Sequence, residues 1–382
     1  MRTRATTESP PADLPEKTDL WLPARAIFEQ VLAASPAERQ QKARVLCGSD
    51  PALEKAVFSL LAWDVPTSRP EMPAASRDPE PDLAGAVYGR YRLVRKLGHG
   101  GAGVVYLAEP EEIDPLRYLA IKLLSRTVCA EARRCLIEES RILARLDHPG
   151  IARLIEGGIS ENGQAFLAME WIDGDPLTVF CDARRLTLSA RLVLFREVCR
   201  AVEHVHRRLV AHLDLKPPNI LVDPAGRPRL LDFGIARLLG DAGDPAQGSL
   251  RSATWLSPGY ASPEQVLGDP VSQASDIYSL GIILFELLTG IRPQPDGPEE
   301  LLAFFSTGAP RPSEAVLRAA PGFAEASAAA RRLGSGEALA GQLAGTLDSI
   351  VRRCLELRPE HRYSSAVQLA EATSSFVQTD PF

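Results

Sequence analysis

The chain has 382 residues, 45% of them hydrophobic, which is enough apolar material for one large buried core or two, plus a small additional segment. Its formal net charge of −6 gives no electrostatic argument for binding nucleic acid or an anionic membrane. The longest apolar run, Leu280 to Leu288, is too short to span a bilayer, and Met1 to Lys17 is too polar for a signal peptide. We therefore expect a soluble, cytoplasmic protein.

The cysteines are scattered without C-x-x-C spacing, and several lie in apolar helical runs. They are Cys47, Cys129, Cys135, Cys181, Cys199 and Cys354. This pattern predicts buried, reduced thiols in a cytosolic protein.

The N-terminal region divides into three parts. Residues 1–18 are rich in Thr, Pro and Glu, which predicts a disordered tail. Residues 19–64 predict three short helices, the second opening with a capping box at Ser35 to Glu38 and the third starting at Asp50-Pro51. Residues 65–87 are rich in Pro and Ala and predict a semi-extended linker.

A glycine-rich stretch follows the predicted strand Tyr91 to Leu97. Glycines at 98, 100 and 103 let the backbone approach phosphate groups, and free N–H groups there can meet phosphate oxygens. The G-x-G-x-x-G spacing also occurs in dinucleotide-binding folds, where it opens a helix. Here the β-forming residues Val104 to Leu107 follow, which favours a flap between two strands.

A single lysine, Lys122, lies in the apolar strand Tyr118 to Leu124. Such a lysine is either an edge residue facing water or a group kept for a ligand. The next predicted helix carries Glu139 on the apolar face marked by Leu136 and Leu143. Because an acid on an apolar face needs a partner, we expect Lys122 and Glu139 to pair.

A polar loop within Val210 to Val222 carries Asp214, Lys216 and Asn219, after a predicted helix from about Ser189 to Arg208. An Asp can orient a hydroxyl and accept its proton, a Lys can neutralise a transferring phosphoryl group, and an Asn oxygen can hold a divalent cation. Taken alone, this spacing could also be a hairpin turn. Asp232 ends the next apolar strand, and two acids with an amide suit Mg²⁺, so the loop predicts phosphoryl transfer.

Three nearby histidines, His204, His206 and His212, invite a metal interpretation. No cysteine or acid cluster accompanies them at ligand spacing, which favours structural roles. Further on, a helix that is apolar almost all round begins at Asp276 and predicts the centre of a large helical lobe. Residues 292–345 predict variable surface, and segments ending at Leu355 and Phe376 close the lobe.

In this order the motifs resemble those of bacterial eukaryotic-type serine/threonine protein kinases. His212 to Asn219 resembles the H-R-D-L-K-x-x-N catalytic loop, and Asp232-Phe233-Gly234 resembles D-F-G. The resemblance covers residues 88–376. It implies an α+β, bilobal protein kinase-like fold with a β-rich N-lobe at 88–172, a helical C-lobe at 173–376, a tail at 377–382 and the N-terminal helical extension.

The resemblance also implies ATP and Mg²⁺ as cofactors, with Mn²⁺ as an alternative, and it assigns roles. Asp214 orients the acceptor hydroxyl, Lys216 stabilises the γ-phosphoryl charge, and Lys122 with Glu139 positions the phosphates. Asn219 and Asp232 hold the metal. The residues implied to surround the nucleotide are Leu97, Gly98, His99, Gly100, Gly101, Ala102, Gly103, Val105, Ala120, Lys122, Met169, Glu170, Ile172, Asn219, Leu221 and Asp232.

Residues from Leu239 to Ser249 resemble an activation segment that closes at Ser262-Pro263-Glu264, where the family more often has A-P-E. Arg362 is implied as the buried partner of Glu264. Ser257 occupies the place of the small hydroxyl residue that meets Lys216, a lysine that resembles serine/threonine rather than tyrosine specificity.

The chain departs from the family pattern at Leu213, where an Arg is usual. That Arg would pair with a phosphate on the activation segment, and a leucine cannot. The sequence therefore predicts a non-RD kinase whose activity depends little on phosphorylation of the segment. The hydroxyl residues concerned are Ser249, Ser252, Thr254 and Ser257.

Two other functions stay open. A pseudokinase would use the same fold as a binding module, although Lys122, Asp214, Asn219 and Asp232 are all retained. A small-molecule phosphotransferase of the aminoglycoside or choline kinase type shares the acid and amide loop but usually lacks S-P-E with its distant arginine.

The implied partners are ATP and a protein substrate with Ser or Thr, with neither nucleic acid nor membrane insertion. The N-terminal helices resemble a segment that precedes the kinase domain in many bacterial kinases. They are either a docking or regulatory module or a packing extension, and the sequence does not choose between them.

Overall fold

The computed structural model describes residues 20–35, 38–63, 82–100, 103–112, 118–124, 140, 144, 146–160, 163–232 and 257–377. Predicted features outside these ranges are the tail 1–18, the linker up to residue 81, Cys129, Cys135, Glu139 and the segment from Phe233 to residue 256. Within the described ranges, no helix combines the length and apolar character needed to cross a membrane.

The three predicted N-terminal helices are present. They are α1 (Trp21–Leu32), α2 (Arg39–Cys47) and α3 (Pro51–Trp63). Asp50 caps α3, since its Oδ1 accepts the backbone N–H groups of Ala52 and Leu53 at 3.0 and 3.1 Å. The capping box expected at Ser35 differs from the structure, because the Ser35 hydroxyl donates to the Glu38 carboxylate and α2 starts only at Arg39.

The N-lobe is built on a six-stranded antiparallel sheet with strand order β1-β2-β3-β4-β6-β5. The strands are β1 (Val87–Tyr88), β2 (Tyr91–Gly100), β3 (Gly103–Pro110), β4 (Leu119–Leu124), β5 (Leu154–Ile159) and β6 (Ala165–Glu170). Gly100 pairs with Gly103, so the glycine-rich stretch joins two strands and the expected flap is confirmed. At Gly103, φ is 141° and a Cβ would lie 1.9 Å from the Leu123 carbonyl oxygen, so only glycine fits there.

The two faces of this sheet have different neighbours. Side chains alternate along a strand, so Ile121 and Leu123 of β4 face one way and Ala120 and Lys122 face the other. Ile121 and Leu123 pack with Phe166 in a core of the N-lobe alone. Ala120 belongs to the larger core that continues through the C-lobe. Lys122 therefore lies on the face of the sheet that looks toward the C-lobe.

The C-lobe is mainly helical. Its described helices are α4 (Leu177–Ala183), α5 (Leu188–His206), α6 (Pro263–Val266), α7 (Gln273–Thr289), α8 (Pro298–Thr307), α9 (Pro312–Arg318), α10 (Pro321–Ala330), α11 (Gly336–Leu343), α12 (Thr346–Cys354) and α13 (Ala366–Ala372). A small sheet has the order β7 (Asp175–Pro176), β8 (Ile220–Val222), β9 (Pro228–Leu230). Helix α7 is buried almost all round, as the sequence predicted, although it starts at Gln273 rather than Asp276.

Residues 292–345, predicted as variable surface with amphipathic pieces, are not surface throughout. This stretch forms α8 to α11, and Leu301, Phe305, Leu339 and Leu343 are almost entirely buried. Its many alanines are strong helix formers. Spaced at helical intervals, they let the few large apolar residues reach the core.

The N-terminal helices pack against the C-lobe and share its core. Helix α1 contacts α8, and α3 contacts α6. Phe28 and Val31 of α1 and Val57 and Leu60 of α3 are fully buried in the same apolar cluster as the C-lobe core. A hydrophobic interface of this kind resembles a domain interior rather than a transient contact. The extension is thus packed in place.

Four of the cysteines lie in described regions, and all four are buried and free of disulfides, as expected. They are Cys47, Cys181, Cys199 and Cys354. Burial raises the pKa of the Cys181 thiol to about 11, so this thiol stays protonated near neutral pH.

Candidate active site

The polar side chains of the loop between α5 and β8 converge on Asp214. Lys216 Nζ lies 3.1 and 2.9 Å from the two Asp214 carboxylate oxygens and 2.7 Å from Ser257 Oγ. The Ser257 hydroxyl also donates to Asp214 Oδ1 at 3.1 Å. Asp214 and Lys216 are each 24% exposed, so they are accessible from the cleft. A hydroxyl, a carboxylate and an ammonium therefore meet at one point.

Asn219 is oriented by the same carboxylate. Its Nδ2 donates to the Asp214 backbone oxygen at 2.8 Å and to Asp214 Oδ2 at 2.9 Å, which uses both amide hydrogens. The Asn219 side-chain oxygen is then the amide atom left to meet a cation. Asp232 supplies a carboxylate from the end of β9, and oxygen donors of these two kinds fit Mg²⁺.

A buried histidine holds the loop from below. His212 is fully buried, its Nδ1 lies 3.3 Å from the Asp214 backbone N–H, and its Nε2 lies 2.8 Å from the Leu231 carbonyl oxygen. Because Asp214 N–H can only donate, Nδ1 must be the acceptor and Nε2 must carry the proton. Burial lowers the pKa of His212, which favours this neutral form. The neutral ring thus connects the Asp214 loop with the residue before Asp232.

The loop is also fixed by Asp276, near the start of α7, which is fully buried. Its Oδ2 accepts the His212 backbone N–H at 2.7 Å and lies 2.8 Å from His206 Nε2, and its Oδ1 accepts the Leu213 N–H at 2.8 Å. Leu213 has a left-handed φ of 63°, which costs a non-glycine residue about 1–2 kcal/mol. This role of Asp276 was not predicted from the sequence. A signal was available, because an acid in a helix apolar all round needs buried partners.

Lys122 reaches the C-lobe through Asp232. Lys122 Nζ and Asp232 Oδ2 are 2.9 Å apart, and both side chains are mostly buried, at 13% and 23% exposure. This contact brings the β4 lysine to Asp232, two residues after the end of β9. The expected partner Glu139 lies outside the described residues. Asp232, like Leu213, has a left-handed backbone, with φ of 45°.

At the junction of the lobes, Glu170 ends β6 and makes contacts on both sides. Its carboxylate accepts from Arg229 of β9 and from the Arg153 backbone N–H at 3.2 Å. Its own N–H donates to the Arg153 carbonyl oxygen at 2.8 Å. The Glu170 side chain is therefore paired within the protein.

The expected partner of Glu264 is confirmed. Arg362 Nη1 and Nη2 lie 2.7 and 2.8 Å from the two Glu264 oxygens, and both residues are buried. Ser275 Oγ donates to the same carboxylate at 2.7 Å. Burial alone would raise the pKa of Glu264, but the hydrogen bonds and charge of Arg362 outweigh it and hold the pKa below its usual value. This bidentate pair fixes α6, which follows Ser257.

Comparison with known proteins identifies the family to which this site belongs. The family model described as protein kinase domain matches residues 91–374, which is most of the chain. The chain belongs to the protein kinase family.

Several relatives within the family are bacterial kinases. The serine/threonine-protein kinase PknJ of Mycobacterium tuberculosis is 32% identical over 299 residues, which cover 76% of this chain and 46% of PknJ. Pkn2 of Myxococcus xanthus is 33% identical over 75% of this chain and 32% of its own length. The chain thus spans half or less of these curated relatives.

Solved structures show the same fold. The kinase domain of M. tuberculosis PknI covers 77% of this chain and 98% of its own, with 25% sequence identity and a TM-score of 0.55. The bilobal architecture predicted from the sequence is confirmed, with the N-terminal helices as an addition.

Of the remaining residues expected around a nucleotide, Val105, Ala120 and Met169 lie on the inner face of the N-lobe sheet. Val105 is opposite Lys122, and Ala120 is opposite Met169, so these four share one face. Leu97 and Gly98 lie at the exposed end of β2, and Leu221 lies in β8. Gly101 and Ala102 are outside the described residues.

The histidines take structural positions, as the sequence predicted. His204 stacks on His148 with ring centroids 4.8 Å apart, while His206 and His212 hold the loop as described above. Within the part of the chain that the structure describes, no three His, Cys, Asp or Glu side chains form a group suited to a metal ion.

Because the pKa of buried His212 is lowered in the folded protein, stability should fall on mild acidification. Below the ordinary pKa of about 6.5 the unfolded chain takes up a proton that folded His212 resists, which removes up to roughly 1.4 kcal/mol of unfolding free energy per pH unit. We expect this pH slope to be smaller in His212→Gln. Urea unfolding of both proteins at pH values between about 7.5 and about 5.5 checks this. Equal slopes would show that His212 titrates alike in both states.

Proposed function

We propose that this protein is a serine/threonine protein kinase that transfers the γ-phosphoryl group of ATP to hydroxyl groups of a protein substrate. The observation that carries the proposal is the cluster of Asp214, Lys216, Asn219 and Ser257, with Lys122 and Asp232 meeting on the inner face of the N-lobe sheet. These are the groups that the chemistry requires, and they converge from distant parts of the chain.

The residues divide the work as follows. Asp214 orients the acceptor hydroxyl and takes its proton, and the Ser257 hydroxyl 3.1 Å from Asp214 Oδ1 marks how a small alcohol approaches that carboxylate. Lys216, held between Asp214 and Ser257, stabilises negative charge on the transferring group. Lys122 binds the phosphates of ATP. Positioning and electrostatics account for catalysis, without a covalent enzyme intermediate.

Asn219 and Asp232 hold the divalent cation, for which we propose Mg²⁺, with Mn²⁺ as the alternative. When bound, the ion neutralises charge on the phosphate oxygens. Glu139 is proposed as a second partner of Lys122. Glycines 98 to 103 cover the phosphates, and Met169 and Ile172 border the adenine together with the backbone of Glu170. We propose a cytoplasmic setting, since the pattern of reduced cysteines suits it.

The test is transfer of labelled phosphate. Purified full-length protein is incubated with γ-labelled ATP, Mg²⁺ or Mn²⁺ and a mixed protein substrate, and the labelled amino acids are identified after hydrolysis. Label on serine and threonine supports the proposal. Label confined to an added aminoglycoside or choline would indicate a small-molecule phosphotransferase, and nucleotide binding without transfer would indicate a pseudokinase.

A further prediction concerns Leu213. Because leucine cannot pair with a phosphate on the segment that follows Asp232, we expect phosphatase treatment to leave the transfer rate unchanged. A phosphate on Ser257 itself would lie beside the Asp214 carboxylate and repel it, so its removal cannot lower activity. The measurement compares initial rates before and after treatment, with loss of phosphate verified by mass spectrometry. A rate that collapses after treatment would contradict the prediction. Ser249, Ser252 and Thr254 lie outside the described residues.

A further inference from the structure

Helix α3 of the N-terminal extension contacts the turn that ends α6. The buried Ser59 hydroxyl donates to the Leu267 carbonyl oxygen at 3.2 Å. Lys55 Nζ, one helical turn earlier, forms an ion pair with Asp269 at 3.2 Å. Both side chains thus bind residues 267–269, and Ser59 binds the backbone of this turn.

The turn itself is shaped for this contact. Gly268 has φ of 67°, and a Cβ at this position would lie 3.1 Å from Ser59 Oγ and 3.8 Å from the Lys55 side chain. Glycine therefore allows both the left-handed turn and the close approach of α3. The Asp269 backbone N–H donates to the Glu264 carbonyl oxygen at 2.8 Å, so the turn and α6 form one unit.

The other side of α6 holds the catalytic loop. Gln265 is 3% exposed and uses both ends of its amide, since Oε1 accepts the Ser262 backbone N–H at 3.0 Å and Nε2 donates to the Leu213 carbonyl oxygen at 2.9 Å. Leu213 is the residue with the unfavourable left-handed backbone, and it immediately precedes Asp214. The Gln265 bond is one of the contacts that keep it there.

We infer that the N-terminal extension is a positioning element for catalysis: α3 fixes α6 through residues 267–269, and α6 in turn fixes the Leu213 carbonyl and the direction of Asp214. The inference rests on the proposed kinase function for its effect on turnover, but not for its effect on the loop. The surface that the extension contacts is this chain's own C-lobe. Lys55 and Ser59 are the positioning residues.

Different residues account for docking of the extension and for positioning of the turn. Docking is supplied by fully buried apolar residues such as Phe28, Val31 and Leu60, which remain when the polar contacts are removed. An exposed ion pair such as Lys55 with Asp269 adds little to global stability. Removing the contacts of Lys55 and Ser59 should therefore leave the extension docked and make residues 267–269 more mobile.

The experiment uses the full chain with Lys55→Met and Ser59→Ala combined. The matched control is Lys42→Met with Ser35→Ala. These are the same two changes at side chains whose hydrogen bonds, among the described residues, are to the extension itself, at Gln30 O and Glu38. We expect the test variant to lose roughly threefold to tenfold in kcat with KM for ATP unchanged. The backbone amides of Leu213 and Asp214 should exchange hydrogen several-fold faster, with global protection retained. The control should match wild type in each readout.

A second comparison tests the route. In a Gln265→Met background the α6 contact with Leu213 is already absent, so adding the Lys55 and Ser59 changes should have no further effect on exchange at Leu213 and Asp214. Independent, additive effects would overturn the inference, as would wild-type exchange and kcat in the first variant. If the wild-type protein transfers no phosphate, the proposed function fails, while the exchange measurements still decide the positioning role.

Discussion

Asp214→Asn is expected to reduce phosphoryl transfer by about 10²- to 10⁴-fold, the usual contribution of a positioned general base. The replacement keeps one oxygen to accept from Lys216 and Asn219, so the loop retains most of its hydrogen bonds. What it loses is the carboxylate that orients the hydroxyl and takes its proton. ATP binding should persist, because most of the groups proposed to bind ATP lie outside this loop, on the N-lobe sheet and at Asp232.

Single-turnover transfer and calorimetric ATP titration measure the two effects separately. The matched control is Asp82→Asn, which changes an exposed Asp whose Oδ1 accepts from the Ala84 N–H, a bond that Asn also makes. Wild-type turnover in Asp214→Asn would remove Asp214 from the proposed mechanism. Loss of ATP binding together with turnover would instead indicate that Asp214 supports the nucleotide site.

The residues that sequence reasoning found are those whose signal is local. Asp214, Lys216 and Asn219 occur within six consecutive residues, and Asp232 follows an apolar strand, so their chemistry is readable without knowing the fold. The distant Glu264 and Arg362 pair was also found, because both ends sit in recognisable motifs. In the structure Asp214, Lys216 and Asn219 contact one another within the loop. Arg362 joins the end of the C-lobe to α6 through Glu264.

The contacts that sequence reasoning missed are those made by residues outside any motif. Asp276 was predicted only as the start of a helix. Its carboxylate accepts the backbone N–H groups of His212 and Leu213, which are 64 and 63 residues away in the sequence. Gln265 supports Leu213 through an amide that has no sequence signature. Such contacts depend on which elements pack together, and hydrophobic periodicity gives the face of a helix but not its neighbour.

The alanine-rich region and the N-terminal helices illustrate the same limit. The helices α1 to α3 were predicted from their periodicity, but docking of α1 on α8 required knowing that α8 exists. The stretch 292–345 was predicted as surface because it is rich in Pro, Gly and Ala and matches the family pattern less well. Small residues at helical spacing fill a core at close packing without raising the hydrophobic signal.

Arg362→Ala is expected to destabilise the C-lobe by about 3–5 kcal/mol, because it leaves the Glu264 carboxylate buried without its partner. Arg362 is almost fully buried and also donates to the carbonyl oxygens of Glu356, Leu357 and Ala274, which would lose their donor too. Set against a total stability of about 5–15 kcal/mol for a folded domain, this is a large fraction. Chemical denaturation at neutral pH measures it as a shift in midpoint at constant slope.

Two further variants identify the cause. Replacing both partners with apolar residues of similar size, Glu264→Leu with Arg362→Met, should be less harmful than Arg362→Ala, because no uncompensated charge remains in the interior. Glu264→Gln tests the sign of the pH dependence. Since the folded pKa of Glu264 is below its unfolded value, the pair stabilises the wild type above the unfolded pKa, and this contribution disappears as pH falls through the folded pKa.

The wild type should therefore lose more unfolding free energy than Glu264→Gln as the pH falls below about 4.3, the ordinary pKa of Glu, and the two should converge in stronger acid. If the double replacement is no better than Arg362→Ala, the cost lies in the lost carbonyl bonds of Arg362 rather than in the stranded carboxylate. If Arg362→Ala leaves the midpoint unchanged, the pair does not anchor α6. The route from α6 to Leu213 and Asp214 would then lack the rigid support on which both the proposed mechanism and the positioning role of α3 depend.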